Sequence, residues 1–178
     1  SGCHESNYVW MGMSNYPISP TVLTAGANYT GFQTRPRATA GTFNVATAAL
    51  CNGTAAHGED YDDTFEGGPV HAGAVIIPAV LAAAEAHSLR GADVERGIAV
   101  GCELMCRLCL VAPKRVHQAG FHPTAVFGAL GAAAGVASAM RLDINAWCHA
   151  LGIAGSMASG IIEYLAEGAW TKRMHPGW

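Results

Sequence analysis

The sequence predicts an all-α domain, and three observations carry that expectation. From Val45 onward apolar residues recur at helical spacing, alanine is abundant, and the alternation of β-branched and polar residues that marks strands is missing. With 178 residues the chain is long enough for one domain with a sizeable core. Residues 1 to 44 read differently: Ser, Thr, Asn, Gly and Pro recur through residues 14–20 and 30–42, a composition of loops around short segments.

A first helix is expected over residues 45 to about 58, and a second from near 72 to 87, tolerating Pro78 and stopping around Arg90-Gly91. The third starts after Asp93 and carries Val94, Ile98, Cys102 and the apolar stretch 104–110. It ends before Pro113, because proline disfavours helical geometry in the residue ahead of it. Pro123, at a first-turn position, opens the fourth, over 124–140, and Asp143 caps a fifth that holds Trp147, Leu151 and Ile153. A sixth, from about 160 to 167, leads into Trp170-Thr171-Lys172.

Composition narrows the function classes. Charged residues are 13% of the chain against an ordinary share of roughly a quarter, and 51% are apolar, so little polar material is left to cover a free surface. A second copy, a second domain, or both are expected to cover it. The longest apolar run, 125–140, is broken by Ser138 and falls short of the ~20 residues that span a bilayer, so it reads as a buried helix. A net charge of -3 with no basic run leaves nothing to recruit nucleic acid or an anionic membrane. Six cysteines without paired C-x-x-C motifs and without a signal peptide ahead of them suit free thiols in a reducing compartment. Cytoplasm is the expected location, with the mitochondrial matrix as the alternative. The stop at Trp178, just after His175-Pro176-Gly177, reads as a chain that ends inside a larger protein.

Polar residues concentrate in three places. In His57-Gly-Glu-Asp60-Tyr-Asp62-Asp63-Thr64, Asp60 and Thr64 are four apart and share a face on a helical turn. Gly67-Gly68 would then bring His71 back beside them, grouping an acid, a hydroxyl and an imidazole. The structural alternative is that the aspartates cap the next helix and the rest is solvated loop. In Gly120-Phe121-His122-Pro123-Thr124, a histidine stands ahead of an apolar helix, where free N–H groups and the helix dipole favour a carboxylate. The alternative is a histidine that satisfies backbone groups. Third, Lys172, Arg173 and His175 follow a long uncharged stretch, which suits a polyanionic substrate; a solvated basic turn is the alternative. Cys102, Cys106 and Cys109 form one helical stripe that reads as core packing rather than metal ligation. Neither a Walker-type lysine nor a G-x-G-x-x-G motif is present, and the histidines show no H-x-x-x-H metal spacing.

In order along the chain, Asn52-Gly53 through His57, Asp60-Tyr61-Asp62-Asp63-Thr64, His71, Gly120-Phe121-His122-Pro123-Thr124 and Thr171-Lys172-Arg173-Met174-His175-Pro176-Gly177 resemble the signature of the MmgE/PrpD family. The resemblance covers roughly residues 45–178 and includes the run 151–160, while 1–44 match poorly. It implies a helical domain that dimerises, followed by a smaller α+β domain that closes over the active site. Only the first is expected in this chain, incomplete at its C-terminus. It also implies Asp60, Thr64, His71, His122 and Lys172 as active-site positions, Lys172, Arg173, His175 and His122 as substrate contacts, and no metal or cofactor. The implied activity is that of a lyase on a small di- or tricarboxylate. Dehydration of 2-methylcitrate or a related alkylcitrate stands first, with cis-aconitate decarboxylation and iminodisuccinate epimerisation as alternatives. Such chemistry builds negative charge on the substrate, which Lys172, His122 and His71 would meet with cations and donors. His71 would serve as base or acid, and Asp60 would orient a histidine or hold a substrate hydroxyl. An alternative of another class is a non-catalytic or split-enzyme helical subunit that binds a partner chain.

Overall fold

Two side-chain caps anchor the start and the later half of the helical region. Asn44 Oδ1 accepts from Thr47 N at 2.8 Å, and Asp143 Oδ1 accepts from Asn145 N and Ala146 N at 2.9 and 3.0 Å. Each supplies an acceptor to first-turn donors that the helix itself cannot satisfy. The structure, a computed structural model, describes residues 44–58 and 60–178. Its helices are α1 Val45–Ala56, α2 Ala72–Ala86, α3 Gly91–Val111, α4 Arg115–Gln118, α5 Pro123–Ala139, α6 Ile144–Met157, α7 Tyr164–Glu167 and α8 Thr171–Met174. No strand occurs among the described residues, where the one isolated bridge pairs Phe121 with Ile161, so this region is all-α as expected.

The centre is a three-helix unit. α3 lies along α5, α2 packs on both, α1 covers α2, and α6 lies on the outer side of α5. α2 is apolar nearly all round and is buried along most of its length, Pro78 included, as a helix enclosed by neighbours must be. α3 is amphipathic: its buried residues Asp93, Gly97, Gly101, Met105 and Cys109 recur every four positions and form one stripe. That stripe meets Gly131 and Gly135 of α5, and the backbones approach closely. A Cβ on Gly101 would lie 2.6 Å from Ile76 Cγ2 and 2.9 Å from the Gly131 carbonyl oxygen. Val70, Ile76, Val80, Met105, Cys109 and Phe127 fill the space around the crossing. Burial of each large side chain contributes about 1.5–3 kcal/mol.

One buried carboxylate locks the ends of the α3–α5 pair. Asp93 accepts from Arg141 Nη2 at 2.8 Å, Arg96 Nη2 at 3.0 Å and Arg90 Nε at 3.2 Å, while Arg96 also donates to the Ser138 carbonyl. These guanidiniums, Arg141 first, hold its carboxyl well below the usual carboxylate range.

The structure departs from the sequence expectations at several boundaries. The third helix starts at Gly91 rather than after Asp93, because an aspartate suits the first turn of a helix as well as its cap, and Asp93 lies in the first turn. α4 and α8, each one turn long, were not foreseen. The helix expected from 160 to 167 is only Tyr164–Glu167. Its first part is held extended by the Phe121–Ile161 bridge, and Gly160 sits at φ +118°, where a side chain would be strained. Cys109 is fully buried in the core, Cys102 packs against it, and burial pushes the Cys102 thiol up to about 12, which fits packing rather than metal ligation. No described helix is long and apolar enough to cross a membrane. Apart from Asn44, the loop-rich segment expected over 1–44 lies outside the described residues.

Candidate functional site

Close backbone packing brings the chain's last turn onto α1. A Cβ on Gly53 would lie 2.7 Å from Gly177 Cα, so both glycines are needed for the approach. The approach sets α8 against the loop that leaves α1, and the Lys172 ammonium donates to Asp60 Oδ1 there. Gly160 works from the other side. Its carbonyl accepts from His122 N at 2.8 Å, and its missing Cβ leaves room for the His175 ring.

Four imidazoles meet at the place so enclosed. His57 at the end of α1 lies 5.2 Å, ring to ring, from His71 at the start of α2 and 5.7 Å from His122 at the start of α5. His122 lies 5.3 Å from His175, and their Nδ1 atoms share one hydrogen bond of 3.0 Å. The Tyr164 ring stands edge-on to His122. Local contacts fix each group. The His71 Nδ1–H donates to the Asp63 carbonyl at 2.8 Å, which leaves Nε2 as the acceptor nitrogen of the neutral ring, and His71 N donates to Thr124 Oγ1 at 3.2 Å. Asp63 caps α2 from eight residues upstream, its carboxylate accepting from Ala72 N at 3.1 Å and Gly73 N at 2.9 Å. Asp62 is buried against His57, with Oδ2 at 2.5 Å from Nδ1.

Electrostatics divide these groups by role. The hydrogen bond from Lys172 holds the Asp60 carboxyl below its ordinary value, so Asp60 is a carboxylate at neutral pH. Burial, reinforced by the neighbouring imidazoles, takes His122 down to about 3, and burial likewise lowers His175. At neutral pH His122 is therefore a neutral donor or acceptor rather than a cation. Burial raises Tyr164 to about 12, so its hydroxyl keeps its proton.

The structure thus brings Asp60, His71, His122, Lys172 and His175 into one region. Asp60 and Thr64 do not share a helical face. Asp60 is in the left-handed region at φ 59°, no helix forms there, and Thr64 is exposed. Asp60 faces Lys172, and the aspartate beside the histidines is Asp62. The capping alternative holds for Asp63 alone. His122 makes no side-chain cap bond, so it does not satisfy the backbone of its own helix. Arg173 lies over the exposed Trp170 indole, 4.1 Å from its centroid. Sequence reasoning singled out neither the His57–Asp62 pair nor Thr124 and Tyr164. For the pair, the signal was two ionisable residues five apart beside Asp60; for Tyr164 there was none. Ligand atoms of His57, Asp60 and Asp62 fall within 4.8 Å of one another, close enough to hold a cation. Yet Asp62 occupies His57 Nδ1 and the Lys172 ammonium sits on Asp60, so a divalent ion would have to displace both partners.

The lowered histidines give the stability a definite pH dependence. His122 is about 6.5 unfolded and about 3 folded, so the folded state binds the proton less well. Stability is then full above about 6.5 and falls as pH drops toward 3, by at most about 1.4 kcal/mol per pH unit from this group. Loss of the Lys172–Asp60 pair acts in the same direction below the ordinary carboxylate range, whereas burial of Asp63, whose carboxyl is raised, opposes it. Urea midpoints measured from pH 7 to pH 4 should fall, and His122→Gln should flatten the slope.

The fold and the site together define an all-helical domain built round one histidine-rich polar centre. The chain belongs to the MmgE/PrpD family: residues 19–178 match the model of the MmgE/PrpD N-terminal domain. It is 34% identical over 140 residues to the cis-aconitate decarboxylases of Mus musculus and of Homo sapiens, covering 73% of this chain and 27% of each relative. A cis-aconitate decarboxylase of Aspergillus terreus is 29% identical over 136 residues, 73% of this chain and 28% of the relative. The chain therefore spans about a quarter of the length of the curated relatives it matches.

Proposed function

We propose that this chain supplies the helical, carboxylate-binding part of a cofactor-independent lyase acting on a small tricarboxylate. The observation that carries the reading is the convergence of Lys172, His122, His175 and a His71 whose Nδ1 is engaged by the Asp63 carbonyl, which offers donors for carboxylates and, at His71 Nε2, a base in one place. Loss of CO2 from a substrate of the cis-aconitate type stands first, on the names of the relatives. Loss of water from 2-methylcitrate or a related alkylcitrate is the second reading, supported by His71: Nε2 takes the carbon-bound proton, the electron pair forms the double bond, and the hydroxyl leaves as water with a proton from an acid. The exposure of Ile153, Met157, Trp170 and Trp178 supports the reading that a second copy or a further domain covers apolar surface of this chain and completes the site.

The test is a ¹³C-NMR assay of the full polypeptide that carries this chain, against cis-aconitate, 2-methylcitrate, citrate and iminodisuccinate. Release of CO2 or of water names the branch, and inversion of iminodisuccinate would move the activity to epimerisation. Tight association with a second chain and no turnover of any of the four would support the helical-subunit reading instead. Dialysis against a chelator should leave the rate unchanged. Activity lost on chelation and regained with iron would defeat the cofactor-independent mechanism.

A further inference from the structure

Behind His71 lies a pair that the proposed chemistry does not use directly. The side chains of His57 and Asp62 are both fully buried, and Oδ2 of the carboxylate is bound to His57 Nδ1 at 2.5 Å. The second oxygen, Oδ1, has no hydrogen-bond partner and is also buried. It faces His71 Nδ1 at 3.7 Å, beyond hydrogen-bond reach because that N–H is already donated to the Asp63 carbonyl. An ionised oxygen left unpaired in the interior is unfavourable unless it meets positive charge. The His71 side chain is partly exposed, and because its Nδ1–H is donated to Asp63, Nε2 is the nitrogen that can accept a proton; when it does, the ring becomes a cation 3.7 Å from Oδ1.

We infer that Asp62 is a positioning residue for His71. Its buried carboxylate, tethered by His57, stabilises the imidazolium that forms when His71 takes a proton, and so sets the basicity of that ring. The inference rests on the reading of His71 as a base. The arrangement parallels the acid of a catalytic triad in role, though here the carboxylate acts across a gap and the orienting hydrogen bond comes from a backbone carbonyl. Other charged or titratable groups face His71 from several elements. Asp60 and Asp63 lie on the same loop, His57 at the end of α1 and His122 at the start of α5, with Lys172 of α8 beyond Asp60. Asp63 and His122 stay in place in the variants below, so their fields cancel in the comparison.

The test is a histidine-labelled NMR titration of the full polypeptide, with His71→Gln to assign the signal, together with the pH profile of kcat/KM. Asp62→Asn keeps the shape and removes the charge. The His71 midpoint should fall by about one pH unit, and the acidic limb of the profile should move to lower pH with it. His57→Leu should move the midpoint the other way, since Asp62 then has His71 as its only imidazole partner. A His71 midpoint that stays put in both folded variants overturns the inference even if the enzyme is active. Opposite shifts in the two variants sustain it even if no tricarboxylate is turned over, which separates its fate from that of the lyase reading. If Asp62→Asn does not fold, the upward shift in His57→Leu alone decides.

Discussion

Lys172→Ala should lower kcat/KM on the tricarboxylate substrate by about 10²–10³-fold or more while shifting the urea midpoint little. The first part follows from what the ammonium does. It is the one lysine or arginine among the described residues that is hydrogen-bonded into the site, and removal of one donor that meets the charge developing in a transition state costs about 2.7–4 kcal/mol of transition-state stabilisation. Its loss also turns Asp60, now ionised and unpaired, into a repulsive neighbour for an anionic ligand. The second part follows from exposure: the Asp60 side chain is 59% exposed, and an ion pair so wet contributes little to folding. Lys172→Arg should not restore full activity, because a planar fork cannot replace a compact point charge that bridges Asp60 and a substrate carboxylate. Asp60→Asn supplies the contrast: it leaves the ammonium in place, so binding should survive better than in Lys172→Ala. A Lys172→Ala protein with native kcat/KM would remove the basis for the proposed function.

The difference between what the sequence showed and what it hid is physical. Helix starts were legible where a side chain makes the cap, as at Asp143, or where proline opens the first turn, as at Pro123. They were misplaced where one residue type suits two positions. An aspartate fits the cap or the first turn, and at Asp93 it lies in the first turn, held by Arg90, Arg96 and the distant Arg141. The short turns α4, α7 and α8 lack the length over which periodicity can register. The same limit applied to the site. His71 stood out because two glycines could fold it back beside an acidic cluster, His122 because it stands ahead of an apolar helix, and Lys172 and His175 because they form a cationic cluster with Arg173. The pairing of aspartates did not, because three of them lie within four residues and only the backbone decides which faces where. The left-handed turn at Asp60 sends that carboxylate to Lys172, Asp62 to His57 and Asp63 to α2.

Gly101→Val should unfold the domain under conditions where the native chain is stable, and Gly101→Ala should destabilise it by about 1–3 kcal/mol, as over-packing of a core does. At this crossing the glycine hydrogens of α3 are the only groups that fit. Even the first carbon of a side chain would lie 2.6 Å from Ile76 Cγ2 and 2.9 Å from the Gly131 carbonyl oxygen. A carbonyl on a packed helix cannot rotate away as a side chain can, so the helices must part, and Met105 and Ile76 lose contacts along the seam. Folding stabilities of about 5–15 kcal/mol leave small margin for the two further methyl groups of valine. The displacement would also reach the site, since His122 is the N-cap of α5 and its ring position is set by where that helix starts. Gly152→Ala is the control, for it lies on exposed α6 with nothing within 4 Å of its Cβ position. There alanine should add up to about 1 kcal/mol through helix propensity alone. Urea unfolding of the two alanine variants beside the native protein decides the matter: shifts of opposite sign are expected, and equal midpoints would mean that α3 and α5 do not cross this closely.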